Sequence, residues 1–131
     1  VMAVFGAPTP SEAHADDALA ASIAMHRAQA EVNRGWVEEG LPVFELGIGL
    51  STGDVAAALL GSEERVEYSV VGDAVNLSQR LQQLAATGQV VISEPTWELL
   101  SQCPPGAEHL ASELVKGRDT PVAPWRIGTL A

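Results

Sequence analysis

The chain has 131 residues, 47% of them hydrophobic and 18% charged, with a formal net charge of -10. That is chain enough for one domain, residues 1–131, with a buried core, and the composition is too apolar for disorder. Its seven basic residues include a single lysine, Lys116, so the basic face required by a nucleic-acid or anionic-lipid binder is missing, while a site for one small anion stays open. Cys103 stands alone, which excludes a disulfide framework and a cysteine zinc site. No apolar run has the length of a membrane span and no signal peptide is visible, so the expected compartment is the cytoplasm, with no membrane contact from this segment.

In chain order, "VMAVFGAP" reads as a strand already under way, ended by Gly6 and Pro8. Nothing ahead of it closes the sheet edge it implies, so the chain reads as N-terminally truncated. An acid-rich loop then leads to a helix from about Asp16 to Asn33, with Leu19, Ile23, Ala24, Ala30 and the stem of Arg27 on one stripe. Asp16 and Asp17 sit where a helix N-terminus favours negative charge. "VFELGIGLSTG" and "VAAALLGS" read as two strands joined at the "STGD" turn, an expected β-hairpin, and "RVEYSVVG" as a third strand. A helix follows from about Asp73 to Ala86, then the short buried strand "QVVIS". Ser93 is placed to cap the next helix, with Pro95 in its first turn, and that helix fades at Cys103-Pro104-Pro105. "AEHLASELVKG" and "APWRIGTL" close the chain as expected strands. Hairpins mixed with long helices predict an α+β fold with helices packed on a largely antiparallel sheet. His14, His26 and His109 lack ligand-like spacing and are expected on the surface or in loops.

The helix after Gly72 carries an unusual pair. At a period of 3.6, Leu77, Leu81 and Leu84 fall in one arc that can dock on a sheet, and Asn76, Arg80 and Gln83 in another, roughly a quarter-turn away. An arginine offers a planar fork of donors suited to phosphate oxygens, and an asparagine both donates and accepts. On spacing alone a solvated helix face with an incidental arginine is the favoured reading. Asp73, at the joint, is expected to cap the helix through its carboxylate.

The stretch "RVEYSVVGDAVNLSQRLQQLA" closely resembles the signature of the class III adenylyl and guanylyl cyclase family, E-Y-[TD]-x-x-G-D-x-V-N-x-A-x-R. "VMAVFGAP" resembles the strand after that family's metal-binding turn, "LGIGLSTGDVAAALLGS" its G-x-x-x-G-x-[VI] hairpin, and "LVKGRDTPVAPWRI" its closing strand. The matched segments follow in order over essentially the whole chain.

The resemblance implies a ferredoxin-like class III nucleotidyl cyclase fold, with two catalytic domains meeting head to tail and each active site between them. The partner is then a second cyclase domain, in a homodimer, and the substrate ATP or GTP. The reaction it implies is attack of the ribose 3′-hydroxyl on the α-phosphorus, releasing pyrophosphate. By the same resemblance Asn76 acts on the ribose, Arg80 on the triphosphate as the transition state gains charge, and Lys116 on the triphosphate. Lys116 as a solvated strand-end residue is the competing reading; adjacent Arg118 is assigned no contact. Ser69 matches the purine-reading position, usually Asp or Thr in adenylyl and Cys in many guanylyl cyclases. Its hydroxyl could serve adenine or guanine, or be only a small polar residue in a sheet; its likeness to Thr tilts the expectation toward ATP and 3′,5′-cyclic AMP.

Departures count too. The family binds Mg²⁺ or Mn²⁺ through two aspartates, on the first strand and in the turn before the segment matched by Val1, and reads adenine with a lysine just upstream of that turn. None of these positions falls within the chain, and Asp16, Asp17 and Asp54 do not match them, so the polypeptide alone is expected to be inactive. Ala58 stands where the family's hairpin usually has Gly. The alternative reading is a degenerate cyclase-homology domain that binds nucleotide or dimerises to regulate an attached module; intact Asn76 and Arg80 weigh against it.

Overall fold

The computed structural model describes residues 1–62, 65–110 and 123–128, with the backbone alone for 57–69. Its described elements are α1 (His14–Glu38), β1 (Ile48–Leu50), β2 (Ala56–Ser62), β3 (Arg65–Val71), α2 (Asp73–Leu84), β4 (Val90–Ile92), α3 (Glu94–Leu99), β5 (Glu108–His109) and β6 (Trp125–Ile127). A four-stranded sheet has the order β1-β4-β6-β5, and β2 and β3 form a separate two-stranded ribbon. β1 and β4 run parallel, while β4–β6, β5–β6 and β2–β3 are antiparallel. The fold is therefore α+β with a mixed, largely antiparallel sheet, as the sequence predicts.

Strand β4 is the centre of the core. Val90, Val91 and Ile92 are all fully buried, and because successive side chains point to opposite faces they serve two clusters. Val90 and Ile92 pack with Leu19 and Ile127, beside Trp97 and Trp125, and Val91 packs with Leu77 and Leu81 of α2. Helices thus cover both faces of the sheet. Ser93, directly after β4, caps α3 by accepting from the Thr96 amide at 3.4 Å, with Pro95 in the first turn as expected. None of the described helices is long and apolar enough to cross a membrane.

Four expectations are corrected. Residues 1–8 carry no strand: no described strand pairs with them, and Val1, Met2 and Phe5 are exposed. The hairpin joins β2 to β3, with Ala56 opposite Val71 and Ser62 opposite Arg65; β1 instead bonds β4, Ile48 opposite Val90. Helix α1 is longer than predicted, at 25 residues; of the expected stripe Leu19 is buried and Ile23 packs against the core, whereas Ala24 and Arg27 are exposed, and the other buried positions are Ala15, Ala18, Ser22 and His26. His26 is therefore a core residue, 1% exposed, with Nε2 donating to the carbonyl of Gln89 at 3.0 Å. His109, by contrast, is exposed and stacks on Trp125, with ring centroids 4.2 Å apart.

Candidate functional site

Helix α2 lies against β1, and the contact can be read residue by residue. A Cβ on Gly47 would stand 2.7 Å from the carbonyl oxygen of Ala85, and one on Gly49 would stand 2.3 Å from that of Ser78 and 2.4 Å from the amide nitrogen of Gln82. The Ser51 hydroxyl donates to the carbonyl of Ala74. Alternate residues of one strand face thus meet successive turns of the helix, running the opposite way. The spacing matches, since two strand residues advance about 6.6 Å and four helical residues about 6 Å. Side chains at positions 47 and 49 would push the helix off the sheet.

At the other end of the approach, Gly72 joins β3 to α2 as the N-cap residue, with φ 158° and ψ 166°. A Cβ there would meet the carbonyl oxygen of Asp54 at 3.0 Å. Asp73 is the first residue of the helix, and the N-cap residue, Gly72, has no side chain with which to cap it. Asp73 thus stands in the first turn rather than at the N-cap position, and its charge lies where the helix dipole favours it. Leu77 and Leu81 are buried as predicted, whereas Leu84 is 38% exposed at the last turn.

With that docking fixed, Asn76 and Arg80 lie on the side of α2 roughly 180° from the residues that touch β1, at 100° per residue. Asn76 is exposed and Arg80 half-buried. Arg80 Nη1 donates to Gln83 Oε1 in one long bond of 3.4 Å, leaving most of the fork's five donors for other acceptors. The pair is side by side on a face turned away from the sheet. Ser69 sits opposite Ala58 in the β2–β3 ladder, three residues before the joint at Gly72. Its side chain, like Lys116 and Arg118 as a whole, lies outside the described residues.

A cavity of about 330 Å³ opens on a different side of α2, lined by Asp54, Asp73, Ala74, Leu77, Glu94 and Pro124 among others, and including neither Asn76 nor Arg80. Beside it a chain of hydroxyls runs from Thr52 to Thr96, 2.7 Å, and on to Ser93, 2.9 Å. Among the described residues no three His, Cys, Asp or Glu side chains are grouped to hold a metal ion. The described residues do not fit the family's divalent ions. Sequence reading missed Gly49 and Ser51 as residues that seat α2; the signal was a glycine and a hydroxyl residue at alternate positions of one strand.

Residues 1–126 match the family described as the adenylate and guanylate cyclase catalytic domain, and the chain belongs to that family. Adenylate cyclase 1 of Rhizobium meliloti is 32% identical over 82 residues, 63% of this chain and 12% of that protein. An uncharacterized protein of Mycobacterium tuberculosis is 33% identical over 124 residues, 92% of this chain and 21% of its own length. Among solved structures, the guanylyl cyclase Cya2 superposes with a TM-score of 0.80 at 34% identity, covering 97% of this chain and 64% of that one. The adenylyl cyclase CyaB from P. aeruginosa gives 0.77 at 25% identity, with coverages of 95% and 64%. The chain thus spans under two thirds of each solved structure, and a far smaller share of the curated relatives.

Proposed function

We propose that residues 1–131 are part of one cyclase catalytic domain that converts ATP to 3′,5′-cyclic AMP and pyrophosphate at an interface with a second copy. The observation that carries this reading is the placing of Asn76 and Arg80 together on the outward face of a helix seated by backbone-close contacts. A fork of donors on a firmly held helix suits a reaction in which charge grows on phosphate oxygens. In that role Arg80 stabilises the developing charge, and Asn76 orients the ribose so that the 3′-hydroxyl approaches the α-phosphorus in line. Lys116 contacts the triphosphate and Ser69 reads the purine. That the pair is on an open face, apart from the cavity, supports a site completed by a facing domain. Both adenylyl and guanylyl cyclases are among the similar proteins, so the choice of ATP rests on Ser69.

The test is cyclic nucleotide production by the full-length protein, with ATP and GTP compared at saturating Mg²⁺ and Mn²⁺. Cyclic AMP with the higher kcat/KM is expected. A preference for GTP overturns the assignment of Ser69. No product from either nucleotide overturns the enzyme reading in favour of a regulatory cyclase-homology domain.

A further inference from the structure

We infer that Ser51 is a positioning residue for the proposed reaction: its hydroxyl latches the first turns of α2 to the end of β1 and so sets where Asn76 and Arg80 stand. This rests on the cyclase reading above and extends it to a residue outside the signature stretch.

The latch has a firm base. Ser51 follows the last residue of β1, and the β1–β4 ladder continues past the strand ends through the Ser93 amide, which donates to the carbonyl of Leu50 at 2.9 Å. The backbone carrying Ser51 is therefore tied to β4, whose residues are fully buried. The latch also has a receiving group with capacity to spare. A carbonyl oxygen has two lone pairs, so that of Ala74 can accept from Ser51 without giving up its helical bond.

Its position on the helix is the second part of the argument. Gly49 touches α2 at Ser78 and Gln82, which sets the distance between helix and strand in the middle of α2. A steric contact limits approach without stopping the helix from rolling or sliding. The directed bond from Ser51 to Ala74, one turn nearer the N-terminus, supplies what the glycine contact lacks. Asn76 lies between the two fixed points and Arg80 within the span of the second. Freed from the latch, the first turn would retain its leucine packing, yet Asn76 would lose registration against the sheet. Small misplacements at a reacting centre cost rate out of proportion to stability.

The experiment uses the full-length protein and three variants, Ser51→Ala, Ser51→Thr and Arg80→Ala, with steady-state kinetics, thermal unfolding and hydrogen exchange of the α2 amides. Ser51→Ala is expected to lower kcat roughly tenfold, with KM within about twofold and Tm little changed, and to speed exchange in residues 75–78 more than in residues 81–84. Ser51→Thr, which keeps the donor, is expected to restore kcat. A Ser51→Ala kcat within twofold of wild type, alongside a strongly impaired Arg80→Ala, overturns the latch and leaves the cyclase reading standing. An unimpaired Arg80→Ala overturns both. If Ser51→Ala unfolds the protein, the hydroxyl-bearing Ser51→Thr must still support normal kcat and slow exchange; failure of either also overturns the latch.

Discussion

Gly49 and Ser78 approach so closely that a Cβ on the glycine would stand 2.3 Å from the serine's carbonyl oxygen. Nothing flexible is available to yield there, because the opposing atoms are helix backbone. Gly49→Ala must therefore lift α2 from β1, opening the contact of Leu77 and Leu81 with Val91. The expected loss is about 3 kcal/mol, the upper end of overpacking costs. Denaturant unfolding checks it, through a fall in midpoint with unchanged slope. A loss below about 1 kcal/mol would show that the two elements are not in backbone contact.

A second expected outcome concerns His26. Its Nε2 donates to the Gln89 carbonyl at 3.0 Å, and the Ile48 amide donates to the same oxygen at 3.1 Å. The histidine thus ties α1 to the point where β1 and β4 begin their parallel pairing. His26→Leu keeps bulk but removes one of two donors, so the carbonyl is not stranded. The cost is expected near about 1 kcal/mol, typical of one net hydrogen bond, rather than the larger penalty of an unsatisfied buried group. Urea unfolding separates these: a loss of about 3 kcal/mol or more would mean that His26 carries more than this bond.

These two residues also show what was legible in the chain. Periodicity located α1 and α2, and Ser93 with Pro95 announced α3, because capping and amphipathic spacing are local. On α1 the periodicity finds Leu19 and Ile23 but passes over Ser22 and His26, because these are polar residues on the core face. Ser22 satisfies its hydroxyl internally by donating to the Ala18 carbonyl at 2.8 Å, and His26 finds its acceptor 63 positions away. Strand partners are equally non-local: β1 alternates well enough to be a strand, but only the tertiary fold tells it to bond β4 rather than β2. For the site, Asn76 and Arg80 were legible through the signature resemblance, whereas their outward direction depends on which face Gly47, Gly49 and Ser51 take up.

Kinetics distinguish a catalytic Arg80 from a solvated one. In the full-length protein Arg80→Ala is expected to lower kcat by about 10²–10³-fold with a much smaller effect on KM, since its donors act chiefly on charge present in the transition state. Arg80→Lys should recover little, because an ammonium lacks the planar fork. Asn76→Ala is expected to be comparably damaging through the ribose. Near-normal kcat in both alanine variants would return the helix to the solvated-face reading, for which the long Arg80–Gln83 bond would then be the whole account.

The last expectation tests the shared site itself. If two copies related by two-fold symmetry form two sites, each site takes Asn76 and Arg80 together from one copy and its remaining machinery, including the family's metal carboxylates, from the other. Mixing full-length Arg80→Ala protein with a variant lacking one of those carboxylates should restore turnover. In the mixed dimer one site gathers both lesions and the other is free of them. Mixing Arg80→Ala with Asn76→Ala protein should restore nothing, because each of the two sites then retains one lesion. The contrast between these mixtures excludes a simple concentration effect, and mass analysis of differently tagged copies verifies that mixed dimers form. Recovery in neither mixture, with mixed dimers present, would place the whole site within a single copy. The outward face of α2 would then need another explanation.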